Sequence, residues 1–364
     1  MSRLSLALLV SLVACEMGSK PDDSGLDTGT DTSDDSSGDD TADSGPSGDG
    51  FAFGEIVGHI DIDYAEDLAM HGDTAYVTSK TNGLQIIDVS DPTAPALVGT
   101  IASGDQAWDL VVDGENDMLY LADYAGGLRA FAIDDPHAPT ETASYVPGWT
   151  VIGVSLHAGR IVATGGDGTN GRMAVLDAED LAELGTYDAI TGTNSAGTSV
   201  AHRGDTAWYG QAEGTLHVLD ISDPSAIAPV TTYKHPGTAG HEPWCLGLFV
   251  DDSTDRLYLS DWGAGVVTLD ISNPENPVEL SAFAEGGYAF YDTWAKGDRA
   301  YIALDGGLGV LDMSDPASPS LVGGSYISAK LELDDGLHGV HVQNGLAFLA
   351  DNKEQTLTII GTTE

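Results

Sequence analysis

The feature that most constrains this chain is a thirteen-residue stretch, Gly83-Leu84-Gln85-Ile86-Ile87-Asp88-Val89-Ser90-Asp91-Pro92-Thr93-Ala94-Pro95, because the chain keeps rewriting it. It is an apolar run that ends in a turn. Aligning the turns gives Asp91-Pro92, Asp135-Pro136, Asp223-Pro224, Asn273-Pro274 and Asp315-Pro316, with Asp180-Leu181 in register as a degenerate copy. The steps, about 42 to 50 residues, suit four short strands per unit. A second marker recurs in phase with the first: Tyr76, Tyr120, Trp208, Tyr258, Tyr301 and Phe348 centre matching strands, with Val162 in the deviant third copy.

Within the first copy, residues 67–71 form an apolar run, 74–78 an alternating strand, 84–89 a third strand and 96–101 a fourth. Gly, Asn, Asp and Pro occupy the turns between them. Gly and Asn tolerate positive φ, and Pro fixes φ while stopping the ladder. First strands are expected at 67–71, 109–113, 153–157, 199–203, 247–251, 292–296 and 339–343. The last copy stops at residues 357–360 without a fourth strand, while the first is preceded by an orphan strand at 54–60. That asymmetry predicts ring closure, with the amino-terminal strand completing the final sheet. The expected fold is all-β, a seven-bladed β-propeller of four-stranded blades spanning residues 51–364. No long helical period appears, and residues 178–184 in the third copy suit about one helical turn.

Leu84-Gln85-Ile86-Ile87-Asp88-Val89-Ser90-Asp91-Pro92 and Leu216-His217-Val218-Leu219-Asp220-Ile221-Ser222-Asp223-Pro224 resemble the LVIVD repeat of bacterial and archaeal surface proteins. That resemblance implies a β-propeller and no defined reaction. The third copy, Leu176-Asp177-Ala178-Glu179-Asp180-Leu181, departs from it most.

Ahead of the repeats stand two segments of other kinds. Residues 1–15 carry Arg3, an apolar run at 4–13 and the close Leu12-Val13-Ala14-Cys15, which resembles a bacterial lipobox. The run is too short to span a bilayer, so a cleaved signal is expected, and the resemblance implies that Cys15 becomes the lipidated first residue. Residues 16–50 are dominated by Asp, Ser, Gly and Thr. Such a segment buries too little apolar surface to offset its ordering entropy, so a disordered acidic tether is expected, though one without the spacing of a calcium loop. The expected address is the bacterial cell envelope, with the membrane as partner through Cys15, at the outer membrane or cell surface.

Net charge excludes one partner class. At −45, from 58 acidic and 13 basic residues, the chain lacks the Lys and Arg clusters that hold phosphate backbones, so nucleic acid is not expected. Cys15 and Cys245 are the sole cysteines, so no disulfide framework is expected, and Cys245 reads as a small buried hydrophobe.

In a propeller the blade-connecting loops and the hairpins between second and third strands share one face. The repeat places Asp63, Tyr64, Glu66, Trp108, Tyr291 and His338 in those loops and Asp123, Tyr124, Asp167, Asp261, Trp262 and Asp351 in those hairpins. Asp67, Asp109 and Asp292 recur at first-strand entrances, which aims carboxylates at the channel mouth. The long loop at 234–246 breaks the repeat and concentrates His241, Glu242 and Trp244. One reading is a cation or polar-ligand site: carboxylates take a hard cation such as calcium, and His241, Glu242 and His338 add transition-metal ligands. The opposing reading is that repeats recycle Asp in their turns, so a ring of Asp arises by copying alone. No cofactor is required by either.

Gly166-Asp167-Gly168-Thr169-Asn170-Gly171 matches G-x-G-x-x-G but leads into a strand, so it reads as a hairpin rather than a phosphate cradle. No H-E-x-x-H, G-x-S-x-G or C-x-x-C is present. The expectation is a monomeric binding scaffold for a protein, glycan or peptide. A metal-dependent hydrolase or lyase using the mouth carboxylates with His241 or His338 is the alternative, and a purely structural envelope component a third.

Overall fold

The recurrent motif closes on itself through its aspartates. In the computed structural model, which describes residues 54–191, 197–237, 245–284, 290–304, 307–326 and 337–362, the strand Gly83–Asp88 is buried along its apolar length. Asp88 Oδ1 accepts from the Ser90 N–H at 2.9 Å, and Asp91 Oδ1 from the Thr93 N–H at 3.0 Å. Asp220 and Asp223 repeat both turns, as do Asp312 and Asp315. These side chains mimic backbone turns. The residue between the turns points inward: Val89 is buried, and its N–H donates to the Asp73 carbonyl at 2.9 Å. Ile133, Ile221, Ile271 and Met313 do the same with Asp117, Asp205, Asp255 and Asp298. Each third strand is thereby pinned to the hairpin between strands one and two of its own blade.

Seven four-stranded antiparallel sheets result. Six are consecutive meanders, whose first strands are Ala65–His71, Asp109–Asp113, Thr150–His157, Gly197–Arg203, Cys245–Asp251 and Phe290–Lys296. The seventh joins Leu337–Gln343, Leu346–Asp351 and Thr356–Gly361 to Ile56–Asp61, which pairs with Thr356–Gly361 in the register Asp61↔Thr356. The protein is a seven-bladed β-propeller closed by its amino-terminal strand. Blades are numbered here from Ala65–His71, the closing blade being blade 7.

Each sheet buries both faces against its neighbours, so the core is divided into seven parts, one at each blade interface. The strand-two aromatics tie these interfaces together. Tyr76 donates its hydroxyl to the Pro136 carbonyl and Tyr120 to that of Ala178, both at 2.8 Å, and Trp208 Nε1 donates to the Pro274 carbonyl at 3.2 Å. Each bond reaches the turn of the next blade. Arg160, Arg203 and Arg256 add a second set, donating to the carbonyls of Ile221, Ile271 and Met313 respectively.

Residues 178–184 form no helix. The Leu181 N–H closes one turn on the Asp177 carbonyl, but Leu181 itself sits at φ 57°, which ends helical geometry, and the strand Glu183–Thr191 follows. Among the described residues the one helix is a three-residue 3₁₀ turn, Pro224–Ala226, started by Asp223.

Candidate functional site

The first strands line a central channel, and their entrances deviate from regular pleating. In six of seven blades the register slips by a bulge at that point, as between Ala65 and Leu68, Phe290 and Asp292, or Leu337 and Gly339. A bulge re-aims the extra side chain. Here the bulged residues are Glu66, Ile152, Thr198, Leu246, Tyr291 and His338, and Trp108 holds the matching place just ahead of Asp109–Asp113 in blade 2. All seven line one cavity of about 710 Å³. Glu66, Tyr291 and His338 therefore belong to strands rather than to connecting loops.

The cavity mouth has two unlike sides. Blades 3, 4 and 5 contribute Ile152, Thr198 and Leu246, a largely apolar wall. Blades 6, 7, 1 and 2 contribute Tyr291, His338, Glu66 and Trp108, bound in a single network. Glu66, buried, accepts from Lys80 Nζ at 2.7 Å, Asn352 Nδ2 at 2.8 Å and His338 Nδ1 at 3.0 Å. Burial alone would raise the Glu66 carboxyl, but His338 and Lys80 outweigh it and hold it below the usual range. Lys80 Nζ also lies 4.0 Å from the centre of the Trp108 ring, which stacks on Tyr124, while Tyr291 stacks on His338 at 4.8 Å. Two ring nitrogens in this network, Trp108 Nε1 and His338 Nε2, are buried without a hydrogen-bond partner among the described residues.

One layer deeper the equivalent positions read Asp67, Asp109, Gly153, Ser199, Gly247, Asp292 and Gly339. The three carboxyls are partly exposed to the channel, and each reaches the next blade. Asp67 Oδ2 accepts from the Leu110 N–H at 3.3 Å, Asp109 Oδ2 from Val154 at 2.7 Å, and Asp292 Oδ2 from Val340 at 3.1 Å. Glycine makes room for them: a Cβ on Gly339 would stand 2.8 Å from Asp67 Oδ1. Burial raises Asp67, helped by the neighbouring charge and hydrogen bond of Asp109, and burial raises Asp109 too. Asp292 is pushed up to about 7 by burial and by the charge of Asp67. Burial thus disfavours charge on both Asp67 and Asp109. Among the described residues no group of three or more His, Cys, Asp or Glu side chains is placed to hold a metal ion.

The other sequence candidates fall elsewhere. Asp261 folds back on its own hairpin, where Oδ1 accepts from the Gly263 N–H at 2.8 Å and the Ala264 N–H at 2.9 Å. Asp167 and Asp351 cap their hairpins in the same way, so these aspartates shape turns. Trp262 is half-buried and does not line the cavity. His241, Glu242, Trp244 and Cys15 lie outside the described residues.

Further along the channel Ser155 Oγ meets His202 Nδ1 at 2.9 Å, the one Ser–His pair in the cavity lining. Burial pushes His202 down to about 3, and its Nε2 has no partner among the described residues, so the pair lacks both a ready base and the third group that orients one. Cys245 is fully buried, 3.3 Å from Ser199 Oγ, and burial pushes its thiol up to about 12, which makes it inert packing.

Comparison with known proteins then decides the nature of the repeat. A family model for the LVIVD repeat matches residues 63–103, 197–235, 253–284 and 286–326. In these four places the repeat is the LVIVD repeat. The four matches fall in blades 1, 4, 5 and 6 of the LVIVD-repeat propeller, and blade 3, with its degenerate turn, is not among them. No curated protein sequence matches the chain. Among solved structures, the LVIVD-repeat propeller is similar to the β-propeller domain of Cps50 (Swd1) from Myceliophteria thermophila. That match has a TM-score of 0.64 and 13% identity over 85% of this chain and 100% of that one. The computationally designed Ika8 protein is similar with a TM-score of 0.57 and 14% identity, over 82% of this chain and 83% of that one. At such identities the likeness is one of fold.

Proposed function

We propose that this protein is a cell-envelope lipoprotein, anchored through Cys15 and spaced from the membrane by residues 16–50, whose propeller binds a ligand at the mouth of its central channel. A propeller of LVIVD repeats fits a binding or interaction scaffold, and among the described residues no helix is long and apolar enough to cross a membrane. The observation that carries the reading is the mouth layer. There the copies stop resembling one another, and a polar, hydrogen-bonding side faces an apolar one around a cavity of about 710 Å³. That volume lies within the range of about 300–1,000 Å³ usual for small-ligand pockets.

Two experiments test the two halves. The full chain is screened against arrays of envelope glycans and peptides and against proteins from an envelope extract; a ligand whose binding is weakened by Trp108→Ala is expected, and a screen returning no ligand, beside turnover of a small substrate, defeats the scaffold reading. For the anchor, Cys15→Ser is expected to move the protein from the membrane fraction to the soluble one. Unchanged fractionation removes the lipid anchor from the account.

A further inference from the structure

Resting on the channel-mouth reading, we infer that the ligand is a neutral sugar, held with its hydroxyls against Trp108 and His338 and its apolar face against Ile152 and Leu246. The argument begins with the two unpartnered ring nitrogens. Trp108 Nε1 can only donate. His338 Nδ1 faces the Glu66 carboxylate, an acceptor, so Nδ1 carries a proton, and in the neutral ring Nε2 is left as an acceptor. A buried donor and a buried acceptor, each without a partner among the described residues, thus belong to one side of one cavity. Leaving such groups unpaired is costly, and native structures rarely do so without reason.

Among common ligand groups, a hydroxyl accepts and donates at once. A carboxylate would satisfy Trp108 but would turn oxygens toward the lone pair of His338 and the charge of Glu66. An ammonium would satisfy His338 but not Trp108, and the cation place on Glu66 is already filled by Lys80 at 2.7 Å. Lys80 and Glu66 thus offset one another's charge in this wall. The protein as a whole, at −45, repels anions.

The opposite wall completes the match. A pyranose ring has a hydroxyl edge and a C–H face, and the mouth has a hydrogen-bonding side across from Ile152 and Leu246. Below them the rings of Phe249 and Trp294 also line the cavity. Lys80 and Tyr124 lie against the Trp108 ring, so this tryptophan works through its edge rather than as a stacking platform.

The test is calorimetric titration of the full chain with three panels: neutral oligosaccharides, uronic-acid oligosaccharides and short peptides. Neutral oligosaccharides are expected to bind. Trp108→Phe, which keeps the ring and removes the N–H, is expected to weaken them about tenfold. His338→Phe, which keeps a ring against Tyr291, is expected to do the same, while Glu141→Gln on an outer strand leaves binding unchanged. Near-equal binding by wild type and Trp108→Phe overturns the hydroxyl contact. Binding confined to acidic oligosaccharides or to peptides overturns the sugar while leaving the mouth a binding site. Binding by none of the three panels, with none from the wider screen above, removes the underlying reading as well.

Discussion

The two faces of this propeller use the same residue types to opposite ends. On the face of the Asp-Pro turns, Asp88, Asp220, Asp270 and Asp312 are half-buried, and Ser90, Ser222, Ser272 and Ser314 hold their carboxyls below the usual range. At the channel mouth, Asp67, Asp109 and Asp292 are pushed the other way by burial. Aromatics divide likewise: Tyr76, Tyr120 and Trp208 each complete a bond to the next blade, while Trp108 Nε1 completes none among the described residues. The turn face is copied from blade to blade because every blade must meet its neighbour in the same way. The mouth layer is not copied and reads Glu66, Trp108, Ile152, Thr198, Leu246, Tyr291 and His338 around the ring.

If that division is right, substitutions on the turn face cost stability and leave binding alone. The largest effect is expected from Trp208→Ala. It empties a fully buried ring position and removes the bond to Pro274, at a cost of about 3–5 kcal/mol by chemical denaturation. Lost sugar or peptide binding at temperatures where the variant stays folded would break the division.

Asp292→Asn should act with the opposite sign. An unfolded Asp titrates near 4, whereas folded Asp292 titrates at about 7, so the folded state holds the extra proton between those values and stability falls as pH rises through them. Asn keeps an oxygen for the Val340 N–H and removes the titration. At pH 8 the variant is expected to be more stable than wild type by on the order of 2 kcal/mol, with a flatter profile between about pH 4 and pH 8. A variant that is less stable at pH 8 would show that the Asp292 carboxyl is ionised there at no cost.

The smallest difference sharpens the comparison within one set of equivalent residues. Tyr76→Phe removes a hydroxyl that donates to Pro136 and should cost about 1 kcal/mol, whereas Tyr258→Phe removes one without a partner among the described residues and should be near neutral. Equal costs would mean that the hydroxyl bonds between blades contribute nothing measurable.

The repeat made the blade count and the closing strand legible, since Asp-Pro turns and strand-two aromatics keep their phase through most of the ring. What it could not show was any contact between blades: Tyr76 and Pro136 are 60 residues apart, Trp208 and Pro274 are 66, and no local pattern links them. The bulges were hidden for another reason. A single extra residue at a strand entrance looks like the end of a loop, so the repeat alone assigns Glu66, Tyr291 and His338 to connections. Asp261 and Asp67 looked alike as recurrent aspartates. The sequence did hold a discriminating sign, since Asp261 is followed by Gly263 and Ala264, whose amides it caps, while Asp67 runs on into an apolar strand. Lys80 left a fainter sign: it is a basic residue, in a chain with only 13, at a place where other copies have Tyr124, Trp262 or Asn352. Asn352 itself carried none.

Closure by Ile56–Asp61 also fixes the order in which this molecule can be completed. Ile56 pairs with Ile360, so the seventh blade cannot form until residues from both extremes of the ring meet, the slowest kind of contact for a chain to find. Until then Val57 and Ile60 have no place to pack, and the cluster around Phe348 and Ile359 stays open to solvent. A chain under synthesis therefore carries its first strand unpaired until six blades have been made. The closing step, rather than any single blade, is where this fold is most exposed to misassembly.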